Sequence, residues 1–263
     1  MKILKLITFL LVANTFANPA DETSRSLHDA AHSAKEKGDY ASYLSMTREA
    51  AKAACVEITA GKLRFADAAP LLAEALAKPQ PEIAAASFTD ALLLQRAAFL
   101  NKLRTTALPT DGATTEEFKI ARQTIAKASI HFYAWVNDAS QLKAVERAKD
   151  EVKAAQLAFD ELPKSVRTDP DAWDNAINGG FDHIKNPELK KAMQRSKTAK
   201  WGVEYARSGR ETANRLLPGV TRDVATVIRA LYAQAPDDRA ELDRLLTESA
   251  VNEGPLAEVL RPK

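Results

Sequence analysis

Three observations predict an all-α fold, an elongated antiparallel helical bundle. Alanine makes up nearly a fifth of the chain while glycine occurs only nine times. Alanine is the best helix former, and its small side chain lets neighbouring helices approach closely. No run alternates apolar and polar residues long enough to mark a strand. Between Thr114 and Glu161, apolar residues instead recur at three- and four-residue spacing, the period of a helix face.

The first seventeen residues stand apart. Lys2 and Lys5 precede the apolar stretch Leu6–Ala13, and Thr15-Phe16-Ala17 ends on small residues at the −3 and −1 positions. This is the pattern of a secretory signal peptide cut near Ala17, so we expect export to the periplasm or beyond the cell. The apolar stretch is far short of the roughly 20 residues a spanning helix needs, and no transmembrane anchor is expected.

The mature chain divides at Leu162–Pro170 into residues 18–162 and 163–263, which can pack as one domain. A first helical hairpin runs from about Glu22 to Lys37, turns at Gly38-Asp39, and returns from Tyr40 to Ala60, with Gly61 as C-cap. Tyr43 stands where a tetratricopeptide unit takes a small residue, and no second copy follows at a 34-residue period. A helix from Lys62 to Lys78 interrupted by Pro70, and one from Glu82 to Thr106 burying Phe88, Leu92, Phe99 and Leu103, come next.

Thr114-x-x-Glu117 forms a capping box. Phe118, Ala121, Ile125, Ala128, Phe132 and Trp135 then make a coiled-coil-like seam. Ala139 and Leu142 continue it, but Val145 arrives only three residues later, a stammer. We expect one long central helix over about 115–161; the alternative is two helices meeting near Asp138. Further on, a short helix (Asp171–Asn178) precedes the Gly179-Gly180 turn. A helix from Pro187 to Leu217 is expected to stop at Pro218-Gly219, a second starts at Val220, and Asp237–Val251 closes the set before a tail after Gly254-Pro255.

Charge bounds the partners. The net charge is +2, with 37 basic and 35 acidic residues, and Lys2 and Lys5 lie in the leader, so the mature chain is balanced. That disfavours nucleic acid as the main partner. The single cysteine, Cys55, cannot form an internal disulfide and reads as a small buried hydrophobe.

Chemistry-bearing patterns are few. His28-Asp29-Ala30-Ala31-His32 places two imidazoles at i and i+4 on one helix face, the spacing with which His-Glu-x-x-His metalloproteases grip zinc. Glu36 extends that stripe. Asp29 is one methylene shorter than the glutamate base of that motif, and a string so near the mature N-terminus is prone to fray. The simplest reading is an exposed polar face; the chemical one is a metal site at His28 and His32. Ser140-x-x-Lys143 matches a penicillin-recognising motif at the frequency chance predicts, without its companion motifs. His131 lies at the edge of the seam helix.

From Lys185 to Arg229 the chain carries eleven basic residues against four acidic ones. Lys190, Lys197, Trp201, Tyr205 and Arg207 gather near one face there, a combination suited to a protein partner or an anionic envelope polymer. These features point to a non-catalytic exported binding module that requires no cofactor. The competing expectation is an enzyme with a dispersed site, a metal-assisted hydrolase using His28 and His32.

Overall fold

The computed structural model describes residues 23–84, 89–106, 115–167, 181, 184–233 and 239–261. The first seventeen residues, Phe88, His183 and the expected helix over 171–178 lie outside them. Every regular element among the described residues is helical: α1 (Ser24–Glu36), α2 (Tyr40–Thr59), α3 (Phe65–Leu76), α4 (Pro81–Ala84), α5 (Thr89–Thr105), α6 (Glu116–Ser140), α7 (Leu142–Asp160), α8 (Lys164–Arg167), α9 (Pro187–Tyr232), α10 (Arg239–Glu248) and α11 (Pro255–Leu260). None is long and apolar enough to cross a membrane.

The first hairpin forms where the punctuation places it. Gly38 takes a positive φ of 75° at the turn. Asp39 then caps α2, its side chain accepting from the Ser42 amide, and Gly61 adopts φ 68° just past its end. The start of α1 is tied to α2. Ser24 is buried and donates from both its amide and its hydroxyl to the Glu57 carboxylate, at 2.9 and 2.6 Å. A carboxylate at a helix N-terminus also favours the positive end of the helix dipole.

The stretch over 115–161 is two helices, not one. Gln141 is extended (φ −77°, ψ 146°) between α6 and α7. Leu142, expected to continue the seam, is 56% exposed, and the buried stripe of α7 starts at Val145. The chain resolves the stammer by breaking rather than overwinding. Ser140 closes the end of α6 by donating to the Asn137 carbonyl, and the Gln141 amide donates to that of Asp138. Nor does the seam account for all of α6. Arg122, Ala126, Ser129, Ile130, Tyr133 and Val136 form a second buried stripe, because α6 lies between α3 on one side and α9 on the other.

The long central helix is α9, and it runs straight through Pro218-Gly219 for 46 residues. Proline removes one backbone donor, here the partner of the Asn214 carbonyl. Pro218 and Asn214 are both exposed, so water can satisfy that carbonyl and the helix need not stop. Pro70 is likewise exposed within α3. Helix α9 packs along α5, α6, α7 and α11. One core therefore joins Ala50 and Cys55 of α2 to Leu256 and Leu260 of α11. The segment after Gly254-Pro255 is a helical element of that core rather than a tail.

Candidate metal centre

Helices α1, α2 and α3 build the most concentrated chemistry among the described residues. Ala31 of α1 is buried against Tyr43 of α2, and His28 and His32 flank it on the α1 face that looks across to α3. Glu74 comes from the last turns of α3, where its neighbours Leu72, Ala75 and Leu76 are buried. That packing holds its carboxylate at the edge of the core, 23% exposed, facing both imidazoles.

Three ligand atoms converge. His28 Nε2 lies 2.7 Å from Glu74 Oε2, His32 Nε2 lies 3.4 Å from the same oxygen, and the two Nε2 atoms are 3.1 Å apart. The rings meet edge to face at 77° with centroids 4.5 Å apart. The remaining carboxylate oxygen, Oε1, accepts from the Tyr43 hydroxyl at 2.6 Å. Burial by itself would raise the Glu74 pKa. The hydrogen bonds from Tyr43 and His28, with the nearby charge of both imidazoles, outweigh it and hold the group below its ordinary 4.5. Tyr43 is shifted the other way: burial, then the Glu74 carboxylate, push its ionisation far up, so it stays a donor.

Glu74 is therefore ionised at neutral pH, and the proton arithmetic of the triangle follows. A neutral imidazole nitrogen offers either one N–H or one lone pair. If both Nε2 atoms carry protons, both can donate to Glu74, but their own 3.1 Å contact sets proton against proton. If only one carries a proton, the other presents a lone pair to a carboxylate oxygen. No placement of ring protons makes all three contacts hydrogen bonds. A cation among the three atoms makes all of them favourable at once.

The size of the triangle suits such an ion. Zinc binds imidazole nitrogen and carboxylate oxygen at about 2.0–2.2 Å, which separates tetrahedral ligands by about 3.3 Å. The edges of 3.1 and 3.4 Å lie close to that value, while the 2.7 Å edge between His28 and Glu74 has the length of a charge-assisted hydrogen bond and would have to open around an ion. Two histidines and one glutamate leave a fourth position for water or another ligand, where the ion would act as a Lewis acid. Around a bound ion Tyr43 would stand in the outer shell, orienting the carboxylate.

His28 and His32 thus come together as their spacing implies. Glu36 does not join the ligands. With His32 it lines a neighbouring depression. Neither Glu74 nor Tyr43 was read as a site residue from sequence, although Glu74 is the one carboxylate in the apolar stretch Ala68–Ala77. His131 is exposed on α6. On α9, Trp201 is 53% exposed and meets Tyr205 edge to face at 6.0 Å. Lys197 lies over the rings of both Phe181 and Trp201, and Arg207 pairs with Glu204 at 2.9 Å. Lys190 lies on the same helix, half-buried. Cys55 is fully buried. No family model, no curated protein sequence and no solved structure matches the chain.

Proposed function

We propose that this chain is an exported binding protein whose site takes one divalent transition-metal ion of the zinc class at His28, His32 and Glu74. The observation that carries the reading is the three-atom contact that no set of ring protons satisfies and one cation does. Tyr43 supports it, since an outer-shell donor on a ligating carboxylate is the usual companion of such sites. Export rests on the leader pattern of the first seventeen residues. Binding is preferred over hydrolysis because Asp29, which stands where a metalloprotease carries its base, is not among the converging groups.

Calorimetric titration of the purified metal-free chain with zinc chloride tests the proposal. One ion per chain should bind, and His28→Ala, His32→Ala and Glu74→Ala should each abolish the heat. Absence of binding, or binding that survives Glu74→Ala, would overturn it.

The exposure of Trp201 favours a second reading for α9, that the face of Lys190, Lys197, Trp201, Tyr205 and Arg207 engages an anionic envelope polymer. Charge reversal at Lys190, Lys197 and Arg207 should then weaken retention on such a polymer, and unchanged retention would remove this reading.

A further inference from the structure

Beside the metal triangle, and sharing Glu74 and Tyr43 with it, lies a cleft of about 140 Å³ between α2, α3 and α5. Its walls carry four cationic side chains, Lys35, Arg48, Lys78 and Arg96, against a single lining carboxylate, that of Glu74; Arg48 is paired with Glu49 at 2.9 Å. Both oxygens of that carboxylate already have partners, one in Tyr43 and the other in His28. The cleft therefore carries more positive than negative charge, even with Glu74 ionised and Arg48 paired.

Arg96 is the telling member. It is 6% exposed, and the partners that hold it are neutral: the Ala77 carbonyl at 2.8 Å, the Leu92 carbonyl at 3.4 Å and the face of Trp135 at 5.7 Å. It has no carboxylate partner among the described residues. The other buried guanidinium, Arg122, lies 3.8 Å from Glu241. A buried guanidinium without an anion is costly relative to a paired one, and burial accordingly pulls its pKa down to about 10. Lys35 and Lys78 reach toward the same cleft over the rings of Tyr43 and Trp135.

We infer that this cleft binds a small oxyanion, a carboxylate or phosphate group, which supplies the counter-charge that Arg96 lacks. Its volume matches that of a cavity that holds a benzene-sized molecule, so the ligand is a small metabolite-sized anion or the anionic end of a larger one. Guanidinium and ammonium groups at one wall are the usual receptors for such groups. The inference stands apart from metal binding, because the four cations are in place whether or not the triangle holds an ion.

Titration of the chain with inorganic phosphate and, separately, with malonate, in EDTA and at constant ionic strength set with sodium chloride, tests it. At least one of the two should bind saturably and raise the melting temperature, and the one that binds identifies the anion chemistry. The paired surface change Lys35→Gln with Lys78→Gln, and separately Arg96→Gln, should each weaken binding roughly ten-fold or more, as loss of charge-assisted hydrogen bonds does. Should Arg96→Gln fail to fold, the surface pair decides. The lysine pair should still bind one zinc ion per chain while losing the anion, which separates this proposal from that for the metal centre. No saturable binding of either anion, or binding undiminished by the lysine pair, would overturn it.

Discussion

Tyr43 donates to Glu74 Oε1 at 2.6 Å while Glu74 Oε2 faces His28 at 2.7 Å, so one phenol sets the direction of the carboxylate that completes the triangle. Removing the hydroxyl leaves every ligand atom in place and takes away only its orientation. Tyr43→Phe should therefore still bind one zinc ion but about 10- to 100-fold more weakly, the usual effect of losing an outer-shell partner. Competition titration against a chelator measures this directly. An affinity equal to that of the wild type would show that Tyr43 merely packs.

The metal-free chain should carry the signature of Glu74 in its acid stability. An acid whose folded-state pKa is depressed contributes stability above its unfolded-state value and loses it as pH falls through the folded-state value. Glu74 lies below its ordinary 4.5. In EDTA, wild type should be more stable than Glu74→Gln at pH 5, and urea melts should show the gap closing as pH drops below 4.5. A gap that persists through that range would contradict the assignment. Zinc affinity should also fall with acidification, because imidazole ligands compete with protons.

Far from the metal centre, a buried polar knot ties α10 to α6 and α9. Glu241 accepts from the Gln123 amide and the Tyr232 hydroxyl, and Arg122, 1% exposed, lies over the Tyr232 ring at 4.6 Å. Breaking one side of such a buried pair leaves an uncompensated charge and costs about 3–5 kcal/mol. Glu241→Ala should lose stability on that scale in equilibrium urea unfolding, with zinc stoichiometry unchanged. A loss under 1 kcal/mol would place Glu241 among the ordinary surface pairs.

Gly202 sits within α9, and a Cβ built there meets nothing within 4 Å. A helix-interior glycine costs about 1 kcal/mol relative to alanine. Gly202→Ala should therefore raise stability by about 0.5–1 kcal/mol, read from the shift in urea midpoint. Gly209→Ala should gain less or nothing, because its Cβ would stand 3.1 Å from the Thr89 methyl of α5.

Cys55 is fully buried on α2, and burial pushes its thiol pKa up against the smaller opposing effects of Thr106 and Lys102. The native chain should not react with a thiol-specific disulfide reagent until denaturant is added. Rapid reaction without denaturant would show the core open around α2.

Local patterns in the chain carried the fold class and part of the site. The Gly38-Asp39 turn and the His28/His32 pair are short-range, and backbone geometry makes them readable. Glu74 was not legible because its role arises only where α3, packed on α2, brings its side chain opposite α1, a placement no spacing encodes. The break at Gln141 and the continuity at Pro218 went the opposite way from local rules for tertiary reasons. Leu142 had no partner to bury it, so the helix gained nothing by running on. Pro218 fell on the exposed side of α9, where its missing donor costs little. The cleft cations were equally hidden, since Lys35, Arg48, Lys78 and Arg96 come from separate segments and meet only in the folded chain.

The most direct measurement is anomalous diffraction at the zinc absorption edge from crystals of the chain grown with one equivalent of zinc. A single peak within coordination distance of His28 Nε2, His32 Nε2 and Glu74 Oε2 is the predicted result. A structure with no peak there, and the two imidazoles turned apart from Glu74, would contradict the assignment of a metal centre.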